Sequence, residues 1–242
     1  RGRFYFCNRP TCVVYECIWL MAAVFKNVVT EIDTTGSGQL ILRCPAGKTA
    51  LIKNLIVQNE NGSNSNYYLA FEDNSISTSS FPIKYGTNTA GNTVALLVPL
   101  VLEENDEILW QTSVADQNIT MSYVLLDAGI KQRYRMITKQ LTTADSADAF
   151  LTCPTGSTII TNFVAAYNGS GSTASTNTFS MTDSSASATK VIDKGPLNNA
   201  AQAVYHRAFV LESGDSLSWT PDEQPFNIYC SYLEIRNPPT RS

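Results

Sequence analysis

Hydrophobic and neutral polar residues alternate along most of this chain. β-branched and aromatic side chains fill the apolar positions, and a period of two predicts half-buried strands. Such stretches run over 26–32, 40–42, 50–57, 67–71, 93–102, 107–110 and 118–126, and again over 150–152, 159–167, 179–181, 203–211 and 227–235. Turn formers lie between them: Pro and Gly, two apart in Cys44-Pro45-Ala46-Gly47, break one strand and turn it into the next. The stretches 59–66 and 76–92 are rich in Ser, Thr, Asn and Gly, and read as a polar loop and a long connection. The Glu/Lys-rich amphipathic stretches that make surface helices are few.

The pattern occurs twice. Val101-Leu102-Glu103-Glu104-Asn105-Asp106-Glu107-Ile108-Leu109-Trp110 returns as Val210-Leu211-Glu212-Ser213-Gly214-Asp215-Ser216-Leu217-Ser218-Trp219, an offset of 109 residues. Cys44-Pro45-Ala46-Gly47-Lys48-Thr49 returns at the same offset as Cys153-Pro154-Thr155-Gly156-Ser157-Thr158. In the closing strands Asn118, Ile119, Ser122 and Tyr123 fall on Asn227, Ile228, Ser231 and Tyr232. Only the step from cysteine to asparagine slips, Cys44–Asn54 against Cys153–Asn162, which predicts a bulge in one copy or a loop adjustment. Each copy holds seven or eight short strands in about a hundred residues, the signature of a sandwich or jelly roll. The expected fold is therefore all-β: two tandem related β-sandwich or jelly-roll-like domains over 25–130 and 131–242. An unrelated N-terminal arm covers 1–24, and a short charged linker over 128–134 keeps the domains side by side. Trp110 and Trp219 are expected to plug the space between sheets.

Composition agrees with a globular β protein, at 43% hydrophobic and only 16% charged residues. The net charge of −4 is uneven: 25–130 carries 5 basic and 11 acidic side chains, whereas 131–242 carries 9 of each. Neither half has a basic stripe, which argues against nucleic acid as a partner. The N-terminal segment has a basic start and an apolar run over 18–25. Asn8, Arg9, Pro10 and Glu16 interrupt it, and the unbroken part is too short to span a bilayer, so no membrane partner is expected. Met21 reads as a natural start, with the residues before it added or read from upstream. Cys7, Cys12 and Cys17 fit no zinc spacing. Cys44 and Cys153 match by duplication, so they sit in different domains and are not natural disulfide partners, and Cys230 matches Met121 as a core residue. The body reads as thiol-reduced, made in a cytoplasm.

Candidate chemistry is sparse. The single histidine, His206, lies on a predicted strand and has Leu97 as its counterpart, which leaves little from which to build a hydrolase triad. Glu103, Glu104, Asp106 and Glu107 offer oxygen ligands for calcium, but the second copy keeps only Glu212 and Asp215, as a solvated turn would. Asn-x-Ser/Thr sequons begin at Asn61, Asn118 and Asn168. Tyr67, Tyr68, Tyr85 and Tyr167 are candidates for stacking on a sugar, against the plainer reading of packed strand residues. No catalytic, cofactor-binding or metal-binding residue is nominated, no cofactor is expected, and the chain does not read as an enzyme.

The run from Cys44 to Asn59 with Leu102 to Tyr123, repeated from Cys153 to Asn168 with Leu211 to Tyr232, carries a resemblance. A strand, a Cys-Pro-x-Gly-x-Thr turn, an apolar strand ending near Asn, then Leu-Glu-x-Gly-Asp and a closing strand with Tyr resemble small β-sandwich accessory virion proteins of tailed bacteriophages. Asn105 departs from that pattern where the second copy keeps Gly214. The resemblance implies a non-enzymatic structural protein in the virion, decorating the capsid or joining the collar or tail. It also implies partners among the capsid, collar or tail proteins and a homo-oligomer, with a trimer favoured. A carbohydrate- or receptor-binding module of fibre or lectin type, with a glycan as partner, is the alternative.

Overall fold

The computed structural model describes residues 23–76, 79–96, 99–127, 132–169, 174–198, 202–205 and 208–237. Of the predicted arm over 1–24, residues 1–22 lie outside the described residues, as do His206 and Cys7, Cys12 and Cys17, while Val24 already opens the first strand. Among the described residues nine strands build the first repeat: β1 (Val24–Ile32), β2 (Gln39–Arg43), β3 (Lys48–Asn59), β4 (Ser65–Asp73), β5 (Ser79–Asn88), β6 (Thr93–Leu96), β7 (Leu100–Leu102), β8 (Glu107–Thr112) and β9 (Gln117–Asp127). Nine more build the second: β10 (Gln132–Leu141), β11 (Asp148–Thr152), β12 (Ser157–Asn168), β13 (Ser175–Asp183), β14 (Ala188–Leu197), β15 (Gln202–Tyr205), β16 (Val210–Leu211), β17 (Ser216–Pro221) and β18 (Phe226–Arg236).

The strands form four sheets. In the first repeat β1-β9-β3-β6, with β7 also on β3, faces β2-β8-β4-β5; in the second β10-β18-β12-β15, with β16 also on β12, faces β11-β17-β13-β14. Among the described residues all pairings are antiparallel, and the chain crosses between the facing sheets at most connections, the hairpins β4–β5 and β13–β14 staying within one sheet, which makes each repeat a jelly roll. The fold is thus two tandem related jelly rolls, as the duplicated turns predict.

The repeat extends to the irregularities. The pairing register shifts between Ile52 and Asn54 in β3 and between Thr161 and Phe163 in β12, so Lys53 and Asn162 are bulged at the same repeat position. The slip predicted for one copy is therefore a bulge in both; Asn54 corresponds to Phe163, and asparagine merely occurs one place apart. Matching shifts occur in β2 and β11, and in the pairs β4–β5 and β13–β14.

Two expectations are corrected. The stretch 76–92 is not one long connection: β5 lies within it, as the outer strand of its sheet. Pro82 is tolerated there because an edge strand has no outer ladder in which to miss an N–H. The linker is also shorter than 128–134, because Tyr134 already belongs to β10 and pairs with Leu233.

Each repeat has an apolar centre between its sheets. Trp110, 1% exposed, lies flat on Tyr67 with ring centroids 4.8 Å apart, and Trp219, fully buried, stacks on Phe179 at 4.9 Å. The first core does not stop at its own sheets. It continues into Met136, Phe163, Ala165 and Tyr229, which lie on the outward face of the β10-β18-β12 sheet. Their chain neighbours Ile137, Val164, Ala166, Ile228 and Cys230 point the other way, into the second core. The second repeat thus has strands buried on both faces, and β5 and β7 of the first repeat lie against them.

Truncating Trp219 to Ala removes a large buried ring, and is expected to cost roughly 3–5 kcal/mol of unfolding free energy. Phe25→Ala at a 79% exposed site should change it by less than about 0.5 kcal/mol. Urea unfolding of both variants beside the unaltered chain checks the contrast.

Candidate functional site

The residues that define the repeated motif turn out to hold the jelly rolls shut. Asp106 is buried, and its carboxylate accepts the backbone N–H of Glu103 at 2.8 Å and of Asn74 at 3.1 Å. Asp215 does the same with Glu212 at 3.0 Å and Ser184 at 2.9 Å. Each aspartate therefore ties the turn before β8 or β17 to the turn after β4 or β13. The cysteine turn closes on the same point. Cys44 donates its N–H to the carbonyl of Asp106 and accepts from Asn105, both at 2.9 Å; Cys153 donates to Asp215 at 2.9 Å and accepts from Gly214 at 3.0 Å. Asn105 and Gly214 both take left-handed backbone angles, with φ of 68° and 89°, which asparagine tolerates and glycine adopts without cost. The motif's asparagine works at the far end of each strand: Asn59 donates to the carbonyl of Asn88, and Asn168 to that of Leu197, both at 2.9 Å.

These roles account for most of the candidate chemistry. The four clustered carboxylates diverge. Asp106 caps the turn, Glu103 bonds Arg135 at 3.2 Å, Glu107 pairs with Arg43, and Glu104 is exposed. Among the described residues no group of His, Cys, Asp and Glu is placed to hold a metal ion. Cys44, Cys153 and Cys230 are buried free thiols, and burial pushes the Cys44 thiol up to about 11, so it is a poor nucleophile. The sequon residue Asn168 is fully buried with its amide engaged; Asn61 is half-buried and donates to Asp116 at 3.1 Å. Among the described residues no helix is long and apolar enough to cross a membrane.

The four candidate tyrosines divide. Tyr67 is buried under Trp110, which removes it as a sugar platform. Tyr68 and Tyr167 are half-buried, and Tyr85, paired with Tyr68 across the β4–β5 ladder, is 47% exposed.

A cleft of about 590 Å³ opens beside the cysteine turn of the second repeat, lined by Arg135, Ser157, Tyr232, Glu234 and Arg236 among others. Glu234 is 5% exposed and lies between two guanidinium groups, 3.6 Å from Arg135 and 3.7 Å from Arg236. Burial pushes the Tyr232 phenol up to about 12, against the pull of the adjacent Arg135. The cleft is lined by residues of the second repeat, and Arg135 links it to the first through its bond to Glu103. Two further bonds cross that boundary: Ser231 Oγ donates to the carbonyl of Pro99 at 2.8 Å, and Thr138 Oγ1 to Asp73 at 3.4 Å.

The sequence motifs did not single out Met136, Phe163, Tyr229 or Arg135. A signal exists nonetheless: at the 109-residue offset, Phe163 faces Asn54, Tyr229 faces Thr120 and Met136 faces Asn27. Positions that are apolar in one copy and polar in the other mark a surface that only one copy covers.

No protein-family model matches the chain, and no curated protein matches it in sequence. Several solved structures share its general shape at low score. The Sulfolobus Turreted Icosahedral Virus MCP superposes with a TM-score of 0.37 at 10% identity, over 89% of this chain and 97% of that one. The major capsid protein P2 from bacteriophage PM2 gives 0.33 at 9%, over 91% and 100%. A peptide-N(4)-(N-acetyl-β-D-glucosaminyl) asparagine amidase gives 0.42 at 10%, over 90% and 98%. Capsid proteins and an amidase score alike, and likenesses this distant decide nothing about what this chain does.

Burial pushes the Asp106 carboxyl up to about 6, although two backbone N–H groups oppose the shift. An acid raised in the folded state keeps a proton that the unfolded chain has released. This group's contribution to stability is therefore fully present below about pH 4, falls as pH rises to about 6, and is flat above that. Unfolding free energies of the unaltered chain and of Asp106→Asn, measured across that window, should differ by an amount that shifts against the unaltered chain as pH rises. Asp106→Ala, which leaves two N–H groups without their acceptor, should cost roughly 2–4 kcal/mol.

Proposed function

We propose that this protein is a non-enzymatic structural component of a virus particle, of the accessory kind found in tailed bacteriophages, where it decorates the capsid or joins the collar or tail. Each repeat, 25–130 and 131–242 in the sequence reading, serves as one module, and the residues before β1, which begins at Val24, form an arm outside them. The chain is made in the host cytoplasm and works in the virion as a homo-oligomer, a trimer, among other virion proteins.

One observation carries the reading: the groups with chemical potential are spent on the fold, while apolar side chains are spent on the surface. Asp106, Asp215, Cys44 and Cys153 close the turns. Phe25 and Val29 on β1, Val191 and Ile192 on β14 and Val210 on β16 stand exposed, from 38% to 79%. Exposed apolar side chains on a sheet face and on sheet edges suit contacts with neighbouring proteins. Repetition on a symmetric particle lets each contact be weak and the sum strong. The resemblance of the repeated motif to accessory virion proteins supplies the kind of particle.

Particles purified to constant composition should contain the chain at a stoichiometry that fits the particle's symmetry, read by quantitative mass spectrometry. Its absence from them would end this reading.

A second reading, a carbohydrate-binding module, draws on the cleft lined by Arg135, Tyr232 and Arg236. Saccharides bind in part through planar hydrogen-bonding groups, which the Arg135 and Arg236 guanidiniums supply at the cleft, whereas the Tyr232 ring is packed into the second core. A glycan array probed with the unaltered chain and with Arg236→Ala, an exposed residue of the cleft, separates the two readings: a ligand lost on substitution favours the module, and an empty array favours the architectural role.

A further inference from the structure

We infer that one copy of this chain docks on another head to tail, the outward face of β1-β9-β3 in its first repeat receiving the β14 and β16 edges of the second repeat of the neighbour. The inference deepens the assembly reading above and specifies its surface, but its physical basis is the repeat alone.

Within one chain, the first repeat's β5 and β7 abut the outward face of β10-β18-β12. That contact buries Ile83 and Val101 on the edge side, and Met136, Phe163, Ala165 and Tyr229 on the face side. The 109-residue offset converts each partner into its equivalent. Ile83 becomes Ile192 and Val101 becomes Val210, which are 38% and 53% exposed where their counterparts are fully buried. On the face side, Tyr134 and Thr138 of β10 become Phe25 and Val29 of β1, 79% and 77% exposed. Each repeat therefore carries both halves of the junction, and each leaves exposed the half it does not use within the chain.

Charge follows the same rule. The ion pair across the internal junction is Arg135 with Glu103 at 3.2 Å. Its equivalents are Lys26 and Glu212, again a base on the outer strand of the face sheet, next to the docking side chain Phe25, and an acid just after the edge strand, and both are exposed. The hydrogen bond from Ser231 to the carbonyl of Pro99 translates as well: Ser122 keeps the hydroxyl, and position 208 supplies a backbone carbonyl whatever its side chain. One contact does not carry over, since Val29 replaces Thr138, whose hydroxyl bonds Asp73.

The second copy of this chain is the occupant because it alone is bound to present the equivalent of an edge already seated on the equivalent face. The junction between chains is more polar than the one within, as Asn27, Asn54 and Thr120 stand where Met136, Phe163 and Tyr229 lie. This gives a reversible contact in place of a permanent one. Because the two halves differ, the contact is heterologous, and chains joined this way close into a ring when the rotation per repeat divides a full turn.

Sedimentation velocity of the unaltered chain at rising concentration should show a concentration-dependent oligomer. Lys26→Glu and Glu212→Lys should each weaken association by roughly tenfold. The double variant, with the charges exchanged, should recover most of it, and a mixture of the two single variants should associate better than either alone. Phe25→Glu should weaken it as well, while urea unfolding shows each variant still folded. A chain that stays monomeric at every concentration overturns the inference, as does an oligomer indifferent to Lys26 and Phe25, or a charge exchange with no recovery. A monomer found in stoichiometric amounts on purified particles would refute the head-to-tail contact and leave the virion reading standing.

Discussion

The structure depends on burying the outward face of one sheet. An antiparallel sheet ordinarily packs one face on a core and leaves the other to solvent, and the first repeat's β9 follows this rule with alternating burial. In the second repeat β12 and β18 are buried on both faces, because the first repeat supplies a second apolar neighbour. Phe163, Tyr229, Met136 and Ala165 leave water on that side, and each large one contributes roughly 1.5–3 kcal/mol. The short connection between β9 and β10 holds the partners together, so the contact escapes the entropic cost that free association meets. The two jelly rolls thereby share a continuous apolar seam through the middle of the chain.

Most of what makes each roll was legible in the sequence. The constant offset located the paired turns. The residue types at those turns, Cys-Pro with Gly two further on and Asp at the second hairpin, are the ones the hydrogen bonds require. The bulges were half legible: an asparagine displaced by one residue suggested irregularity, but asparagine was the wrong landmark. The shift is fixed by the backbone pairing around Lys53 and Asn162, side chains with nothing in common.

What could not be read has a physical cause. β5 and β14 are outer strands, with one neighbour in the ladder and much of their surface wet, so they carry Ser, Thr, Lys and Pro in place of an apolar alternation. Composition alone makes such a strand look like a loop. Tyr67 failed as a sugar platform for the opposite reason: a tyrosine in a strand looks the same whether its ring meets water or a tryptophan, and only the facing sheet decides. The seam between repeats was invisible to periodicity, since strands buried on both faces lose their alternation. Comparing the copies position by position, apolar against polar, is the reading that brings it out.

Duplication also constrains what the surface can become. Two identical rolls joined through a heterologous contact would each carry an apolar face and an apolar edge. One of each would be left bare, and a chain with large bare apolar patches aggregates. Divergence has removed most of that hazard on one side, with Asn27, Asn54 and Thr120 in place of the aromatic and aliphatic residues of the internal seam. It has not removed all of it. Phe25, Val29, Val191, Ile192 and Val210 remain in water, at the places where a wholly independent pair of domains would have been under most pressure to lose them. Lys26 and Glu212 also keep the signs of the internal ion pair, although neither helps to fold its own repeat in the way that Arg135 and Glu103 join the two. Drift toward a soluble monomer has no reason to spare both the residual apolar positions and the matching charges. Retention of the two together is what a weak, specific and repeated contact requires.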